Sequence, residues 1–107
     1  MKASPRETTR EEILEWLSTI EDPELGFNIV ELGLIYGIEQ SKDRCVVEMT
    51  LTSPACPEGP AIVAAVRDSV KALTRLPEVR VELVWDPPWD PDEMPSEDVR
   101  FILRSLR

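Results

Sequence analysis

Two cysteines are the most reactive side chains in this sequence, and their surroundings differ. Cys56 lies between Pro54 and Pro57, shortly before a stretch with helical periodicity. The dipole and free amide groups of a helix N-terminus lower the pKa of a nearby thiol, although the carboxylate of Glu58 opposes this effect. Cys56 could therefore serve as a nucleophile, a persulfide carrier or a metal ligand.

Cys45 alternates with Val47, Met49 and Leu51 in a predicted strand, which places it on an apolar face and favours a buried thiol. If residues 45–52 are extended, about 23 Å separates their ends, and four further residues return at most about 14 Å. The two cysteines then stay about 9 Å apart, whereas a disulfide needs Cα atoms within about 7 Å. We therefore expect neither an intrachain disulfide nor a metal ion shared by both thiols.

The chain contains no histidine among its 107 residues, and it contains no CxxC motif. The absence of histidine excludes Ser-His-Asp and Cys-His catalysis, histidine metal sites and imidazole pH switches. The absence of CxxC leaves a thiol-dependent transferase or oxidoreductase without a resolving cysteine. Because no general base is in view either, we do not expect an enzyme.

Five further side chains belong to the candidate site, and each also has an ordinary structural interpretation. Asp22 and Glu24 could bind a metal ion or form an acid/base pair, or they could end a helix at the Asp-Pro step. Thr50 and Thr52 lie on the predicted solvent side of a strand, where their hydroxyls could line the approach to the reactive thiol. Trp89 could shield that thiol or pack against the core.

Periodicity and capping signals divide the chain into three helices and three strands. The predicted helices cover residues 9–21, 60–75 and 96–106, and the predicted strands cover residues 34–40, 44–52 and 79–85. Residues 1–8 are predicted to be a flexible tail, and the remaining residues 9–107 suffice for one domain. The order α-β-β-α-β-α predicts an α/β (α+β) fold with a three-stranded mixed sheet and helices packed on it.

The third strand and the proline-rich segment after it make different predictions for two tryptophans. Val79, Val81, Leu83 and Trp85 alternate along the strand, which predicts that all four face the core. Trp89 follows in a segment that contains four prolines and is therefore stiff. We expect Trp85 to be buried and Trp89 to lie at the rim of a site.

Three irregular segments are predicted to converge at one end of the sheet. The second and third strands are joined by a crossover helix, so they should run parallel and end at the same edge. Residues 52–60 and 86–95 leave those ends, and the hairpin brings residues 22–33 to the same place. Open sheets of this kind bind ligands beside the carboxyl ends of their strands. We call these three segments together the site edge.

The charge balance restricts the range of partners. Twelve Lys and Arg residues against 21 Asp and Glu residues give a net charge of −9. Phosphate backbones and anionic membranes attract basic surfaces, so we expect no nucleic-acid partner and no membrane partner. The chain has no apolar run of about 18 residues, and its polar start lacks a signal-peptide core, which predicts a cytoplasmic protein.

Three motifs in order resemble one known family. They are DPELGFNIVELGLIY, MTLTSPACP, and VWDPPW followed by an SED helix. Together they resemble the SufT/PaaD-like metal-sulfur cluster assembly family, also called MIP-type, over about residues 10–104. The resemblance implies a role in assembling iron–sulfur clusters or delivering them to apo-proteins. It places Cys56 at the family's reactive cysteine, Asp22 and Glu24 in its acidic motif, and Thr50 and Thr52 at its threonine-bearing strand end.

Departures from the wider family indicate the subtype. The chain has neither the cysteine-rich C-terminal extension of PaaD-type members nor the P-loop of the fused scaffold ATPases, so it best resembles a stand-alone SufT-like member. The implied cargo is iron or an iron–sulfur cluster, held transiently with Cys56 as a metal ligand. A cluster normally takes about four ligands, so a second subunit, a client protein or carboxylates must supply the others.

The implied partners are apo iron–sulfur client proteins and a cluster-assembly scaffold. We also expect a homodimer, because twofold symmetry would bring two Cys56 thiols together. The alternative function is a non-catalytic adaptor that binds proteins through Phe27, Trp85 and Trp89, with an incidental cysteine.

Overall fold

The computed structural model describes residues 8–106, so residues 1–7 of the predicted tail lie outside the described part of the chain. The described residues form three helices and five strands. The helices are α1 (Arg10–Leu17), α2 (Gly59–Thr74) and α3 (Glu97–Ser105). The strands are β1 (Glu21–Asp22), β2 (Phe27–Asn28), β3 (Ile35–Gln40), β4 (Arg44–Met49) and β5 (Glu78–Leu83).

The main sheet has the strand order β3-β4-β5 and mixed direction. β3 and β4 form an antiparallel hairpin, whereas β4 and β5 are parallel because α2 crosses over between them. This confirms the predicted α+β fold and its three-stranded mixed sheet. β1 and β2 form a separate two-residue hairpin that the sequence patterns did not predict.

Local sequence signals explain where the helices begin. The side chain of Thr9 accepts a hydrogen bond from the backbone of Glu12, and the Glu12 carboxylate accepts one in return, which confirms the capping box of α1. Pro60 occupies the first turn of α2, and the hydroxyl of Ser96 caps α3.

The first helix ends earlier than predicted. It stops at Leu17 instead of residue 21, and the hydroxyls of Ser18 and Thr19 donate hydrogen bonds to carbonyls of the last turn. Such hydroxyls offer the backbone an alternative to continued helix. The following residues pair as β1, so Asp22 lies in a strand and the predicted role of a helix stop is wrong.

The core lies on one face of the main sheet. Register pairs Cys45 with Val79, Val47 with Val81, and Met49 with Leu83, so these side chains share a face. Burial decreases along β5, from Val79 at 8% exposed to Leu83 at 41%. The other buried apolar residues come from all three helices and from the loops beside β3 and β4: Ile13, Leu17, Ile29, Leu32, Leu34, Leu51, Ile62, Val66, Val70, Val99 and Leu103.

The predicted burial of the end of the third strand is wrong. The strand ends at Leu83, and Trp85 is 41% exposed. Alternation along a strand identifies which side chains share a face, but burial also requires an element that covers that face. The core face is therefore closed at the start of β5 and open at its end.

Candidate functional site

Cys56 lies in the loop between β4 and α2, where the chain folds back on itself. Its backbone N–H donates a hydrogen bond to the Ser53 carbonyl at 3.1 Å, and its carbonyl accepts one from Gly59 at 3.1 Å. Cys56 is only 8% exposed, although a reactive thiol in a loop would be expected to be accessible. Cys45 is completely buried, as predicted, and both cysteines are free.

The Cys56 thiol contacts a carboxylate from a distant part of the chain. Its Sγ donates a hydrogen bond to Glu24 Oε1 at 3.5 Å, across 32 positions in sequence. Glu24 lies in the turn that joins β1 to β2, and its side chain is exposed. Two residues that the sequence analysis proposed separately therefore form one pair.

The surroundings of Cys56 keep its thiol protonated. Burial raises the pKa of the Cys56 thiol, and the carboxylates of Glu24 and Asp22 raise it further. A hydrogen bond from the backbone of Glu58 lowers this pKa, as expected near a helix N-terminus, but its effect is smaller than that of burial. The net shift is therefore opposite to the sequence-based prediction.

Asp22 is a fully buried carboxylate that shapes the turn holding Glu24. Its Oδ1 accepts hydrogen bonds from the backbone N–H groups of Glu24 at 2.8 Å and Leu25 at 3.3 Å. Its Oδ2 is buried as well and has no hydrogen-bond partner within residues 8–106. Burying a carboxylate oxygen without a hydrogen-bond partner lowers the stability of the fold. Asp22 Oδ2 is therefore a free hydrogen-bond acceptor within the described residues, on a carboxylate that also influences the Cys56 thiol.

A groove of about 420 Å³ opens beside this pair. It brings together three predicted site residues, Glu24, Thr52 and Trp89, which lie in three different segments of the site edge. The remaining lining is apolar and consists of Leu25, Pro91, Leu103 and Leu106. Leu103 and Leu106 were not among the predicted site residues, although their spacing is typical of one face of an amphipathic helix.

Trp89 is held more firmly than a rim residue would be. Its indole Nε1 donates a hydrogen bond to the Leu32 carbonyl at 2.7 Å, and its ring packs against the core. Nearby, the hydroxyl of Tyr36 donates to the Pro87 carbonyl at 2.8 Å. These two bonds fix the proline-rich segment to the loop before β3 and to β3 itself. Trp89 therefore lines the groove and also packs against the core.

Thr50 is the other predicted site residue that the structure places differently. Its side chain is completely buried, whereas Thr52 is half-buried and lines the groove. The backbone N–H of Thr50 donates to the Leu34 carbonyl at 2.9 Å, and its hydroxyl lies close to Tyr36. Because Thr50 is completely buried, its predicted solvent-facing position is wrong.

The described residues supply too few ligands to enclose a metal ion. Within residues 8–106, no group of three or more Cys, Asp or Glu side chains is arranged to hold one. Cys56 and Glu24 are adjacent donors, but a stable site needs more ligands than two.

No helix in the described range is both long and apolar enough to cross a bilayer.

Comparison with known proteins gives consistent matches. A family model described as "Iron-sulfur cluster assembly protein" matches residues 10–83. The chain is 46% identical over 92 residues to a Bacillus subtilis protein named "Fe-S protein maturation auxiliary factor YitW", covering 82% of this chain and 87% of that one. It is 43% identical over 74 residues to the Staphylococcus aureus "Fe-S protein maturation auxiliary factor SufT", covering 68% and 84% of the two chains.

Solved structures share the same fold. A conserved hypothetical protein from Thermotoga maritima superposes with a TM-score of 0.80 at 35% identity, covering 94% of this chain and 98% of that one. A domain of unknown function from Bacillus anthracis superposes with a TM-score of 0.79 at 33% identity, covering 91% and 92% of the two chains. Both matches span nearly the whole chain, so the overall fold is shared with these two proteins.

Proposed function

Because this chain belongs to the iron-sulfur cluster assembly protein family, we propose that it is an auxiliary factor in the maturation of iron–sulfur proteins. The relatives from Bacillus subtilis and Staphylococcus aureus carry that description in their names. The names describe auxiliary factors, which agrees with a role other than catalysis. The cargo of such a factor is iron or an iron–sulfur cluster, and its clients are apo-proteins.

The observation that supports a site for this cargo is the contact of 3.5 Å between Cys56 Sγ and Glu24 Oε1. Thiolate sulfur and carboxylate oxygen are both ligands for ferrous iron. When iron binds, the S–H bond of Cys56 breaks, a bond from sulfur to iron forms, and the proton leaves to solvent. No electron is transferred in this step.

The small number of donors supports transient handling of the cargo instead of storage. Cys56 and Glu24 provide two ligands, whereas a cluster normally takes about four. A scaffold, a client or a second copy of this chain supplies the others while the cargo passes. Because the thiol pKa is raised, the free protein holds a protonated sulfur that binds iron only in exchange for a proton.

Anaerobic addition of iron and sulfide, followed by visible absorption, tests this proposal. We expect the wild-type protein and a Cys45→Ala variant to develop sulfur-to-iron charge-transfer absorption. A Cys56→Ser variant should lose most of it, because serine keeps the size of the side chain but removes the thiolate. Glu24→Gln should retain less iron than wild type after desalting.

A protein-binding adaptor is the second candidate function, and the apolar groove beside Cys56 favours it. In an adaptor the thiol is incidental. If Cys56→Ser takes up iron and sulfide as well as wild type does, the role of Cys56 as a ligand is wrong and the adaptor is the better description.

A further inference from the structure

The negative charge of this protein is concentrated at the site edge. The three segments of the site edge, residues 22–33, 52–60 and 86–95, contain eight Asp and Glu residues and no Lys or Arg. The rest of the chain contains 13 acidic and 12 basic residues, so it is nearly neutral. The site edge therefore accounts for eight of the nine net negative charges.

The groove in the site edge is lined mainly by apolar side chains. Leu25, Trp89, Pro91 and Leu103 form its walls, and Leu106, which is 76% exposed, lies at its margin. Arg104 follows the lining residue Leu103 in sequence, and its Nε lies 3.9 Å from Asp92 in an exposed and therefore weak pair. Glu24 lines this apolar groove, and Asp90 and Asp92 flank its lining residue Pro91 in sequence. An apolar groove with carboxylates at its margin favours a ligand with an apolar centre and positive flanks.

We infer that the groove docks a basic polypeptide segment of a partner protein, with a large apolar side chain of that segment between Trp89 and Leu106. The inference rests on the proposed function, because it names the partner surface beside the same thiol. Lys or Arg residues on either side of the apolar anchor contact the surrounding carboxylates. Docking in this position places the partner's own metal ligands next to Cys56.

Charge decides between this partner and a second copy of the chain. Two site edges facing each other would bring 16 acidic side chains together without any Lys or Arg from these segments. Like charges across an interface are unfavourable, whereas a basic segment is attracted and its association is accelerated. The same reasoning disfavours anionic lipid at this surface.

Three short synthetic peptides labelled with fluorescein provide the probes. The first has Lys and Arg residues around a Leu-Trp pair, the second has serine in place of Leu and Trp, and the third has Glu in place of each basic residue. We expect only the first peptide to raise the fluorescence anisotropy at micromolar protein. Its affinity should fall as NaCl rises from about 50 mM to about 300 mM, because salt screens exposed charges.

Matched variants locate the binding surface. Leu106→Ser should weaken binding of the first peptide about tenfold, because it removes apolar contact area at the groove. Phe101→Ser should leave binding unchanged, since Phe101 is equally exposed at 72% on α3 but does not line the groove. Circular dichroism of both variants verifies that they are folded.

The charge contribution is tested in the same way. The double variant Asp86→Asn, Glu93→Gln removes two exposed carboxylates of the site edge, and it should weaken binding and reduce the dependence on salt. The control variant Glu15→Gln, Asp68→Asn removes two exposed carboxylates elsewhere and should bind like wild type.

Several results would overturn the inference. Equal binding of the first and second peptides would show that no apolar anchor is used, and binding of none of the three would remove the surface altogether. Dimerisation in light scattering that Leu106→Ser abolishes would assign the groove to a second copy. The Cys56→Ser variant separates this inference from the proposed function: it should bind the peptide normally, even though it loses iron.

Discussion

The Cys56 thiol combines low exposure with a neighbouring carboxylate. Burial is the main cause of its raised pKa, and Glu24 adds to it through a hydrogen bond and a negative charge. A neutral thiol is a poor nucleophile and is slow to oxidise, because the thiolate is the reactive form. At the scale of single residues, Glu24 therefore lowers the reactivity of the sulfur, and under the proposed function the same carboxylate is a second donor for iron.

This arrangement predicts an increase in reactivity when Glu24 is neutralised. Glu24→Gln should raise the rate at which iodoacetamide alkylates Cys56 near pH 7.5, because removal of the charge lowers the thiol pKa and increases the thiolate fraction. Mass spectrometry after timed quenching measures the rate at each cysteine. Cys45, which is completely buried, should react only when the protein unfolds.

Glu58→Gln is the control for this experiment. Glu58 influences Cys56 through its backbone N–H, which the substitution keeps, so the alkylation rate should change little. An unchanged rate in Glu24→Gln, or faster alkylation of Cys45 than of Cys56 in the native protein, would contradict the geometry described for the pair. Faster alkylation of Cys56 in Glu24→Gln, together with the weaker iron retention expected for that variant, would show that Glu24 slows covalent attack and assists metal binding.

At the scale of elements, the proline-rich segment 86–95 is a structural wall of the site. Trp89 and Tyr36 bond it to neighbouring loops and to β3. Gly33 permits the close approach of this segment, because its φ is +78° and a Cβ at this position would overlap the Met94 carbonyl. The segment therefore supports the groove by packing as well as by the stiffness of its prolines.

The two neighbouring tryptophans should respond differently to truncation. Trp89→Ala should lower the free energy of unfolding by about 3 kcal/mol, because it removes a packed ring and leaves the Leu32 carbonyl without its indole donor. Trp85→Ala should cost less than about 1 kcal/mol, since Trp85 is 41% exposed. Urea unfolding followed by circular dichroism measures both.

This order reverses the one expected from the sequence, in which Trp85 continued the core face. Equal losses for the two variants, or a larger loss for Trp85→Ala, would show that the end of β5 is covered in solution. Trp89→Phe provides a further comparison: it keeps most of the apolar contact and should lose about 1–2 kcal/mol through the unpaired carbonyl.

At the scale of the whole molecule, three buried or partly buried groups should make the free energy of unfolding fall at alkaline pH. Burial raises the pKa of the Cys45 thiol above 9.0, of the Cys56 thiol above 9.0, and of the Tyr36 hydroxyl above 10.0. Each group binds its proton more tightly in the folded state than in the unfolded state. Their contribution to stability is therefore complete below about pH 9 and is lost as pH rises through the folded-state pKa values.

The urea midpoint should accordingly stay level between about pH 7 and pH 8.5 and fall between about pH 9 and pH 11. Cys56→Ser should show a smaller fall, because it removes one of the three groups. Repeating the series in about 0.5 M NaCl screens the growing negative charge and isolates the effect of the buried groups. A midpoint that rises with pH in this range would contradict the burial of the thiols.

The sequence alone determined the order of the three helices and of the three strands of the main sheet, with their hairpin and their parallel pair. These features follow from local signals such as the capping box at Thr9, the Pro60 start of α2 and the alternation of apolar residues along β4. It also predicted that three distant segments meet at one edge, because a crossover helix makes the flanking strands parallel. The family resemblance rested on the motifs in these segments, and the comparisons confirm it.

Only the tertiary structure decided which of these side chains are covered and which of them touch. Cys56 is nearly buried and its Sγ contacts Glu24, whereas Thr50 is completely buried with its hydroxyl close to Tyr36. The bond from Trp89 to the Leu32 carbonyl joins residues 57 positions apart. Burial depends on the element that packs over a face, and periodicity in one segment contains no information about its neighbours in space.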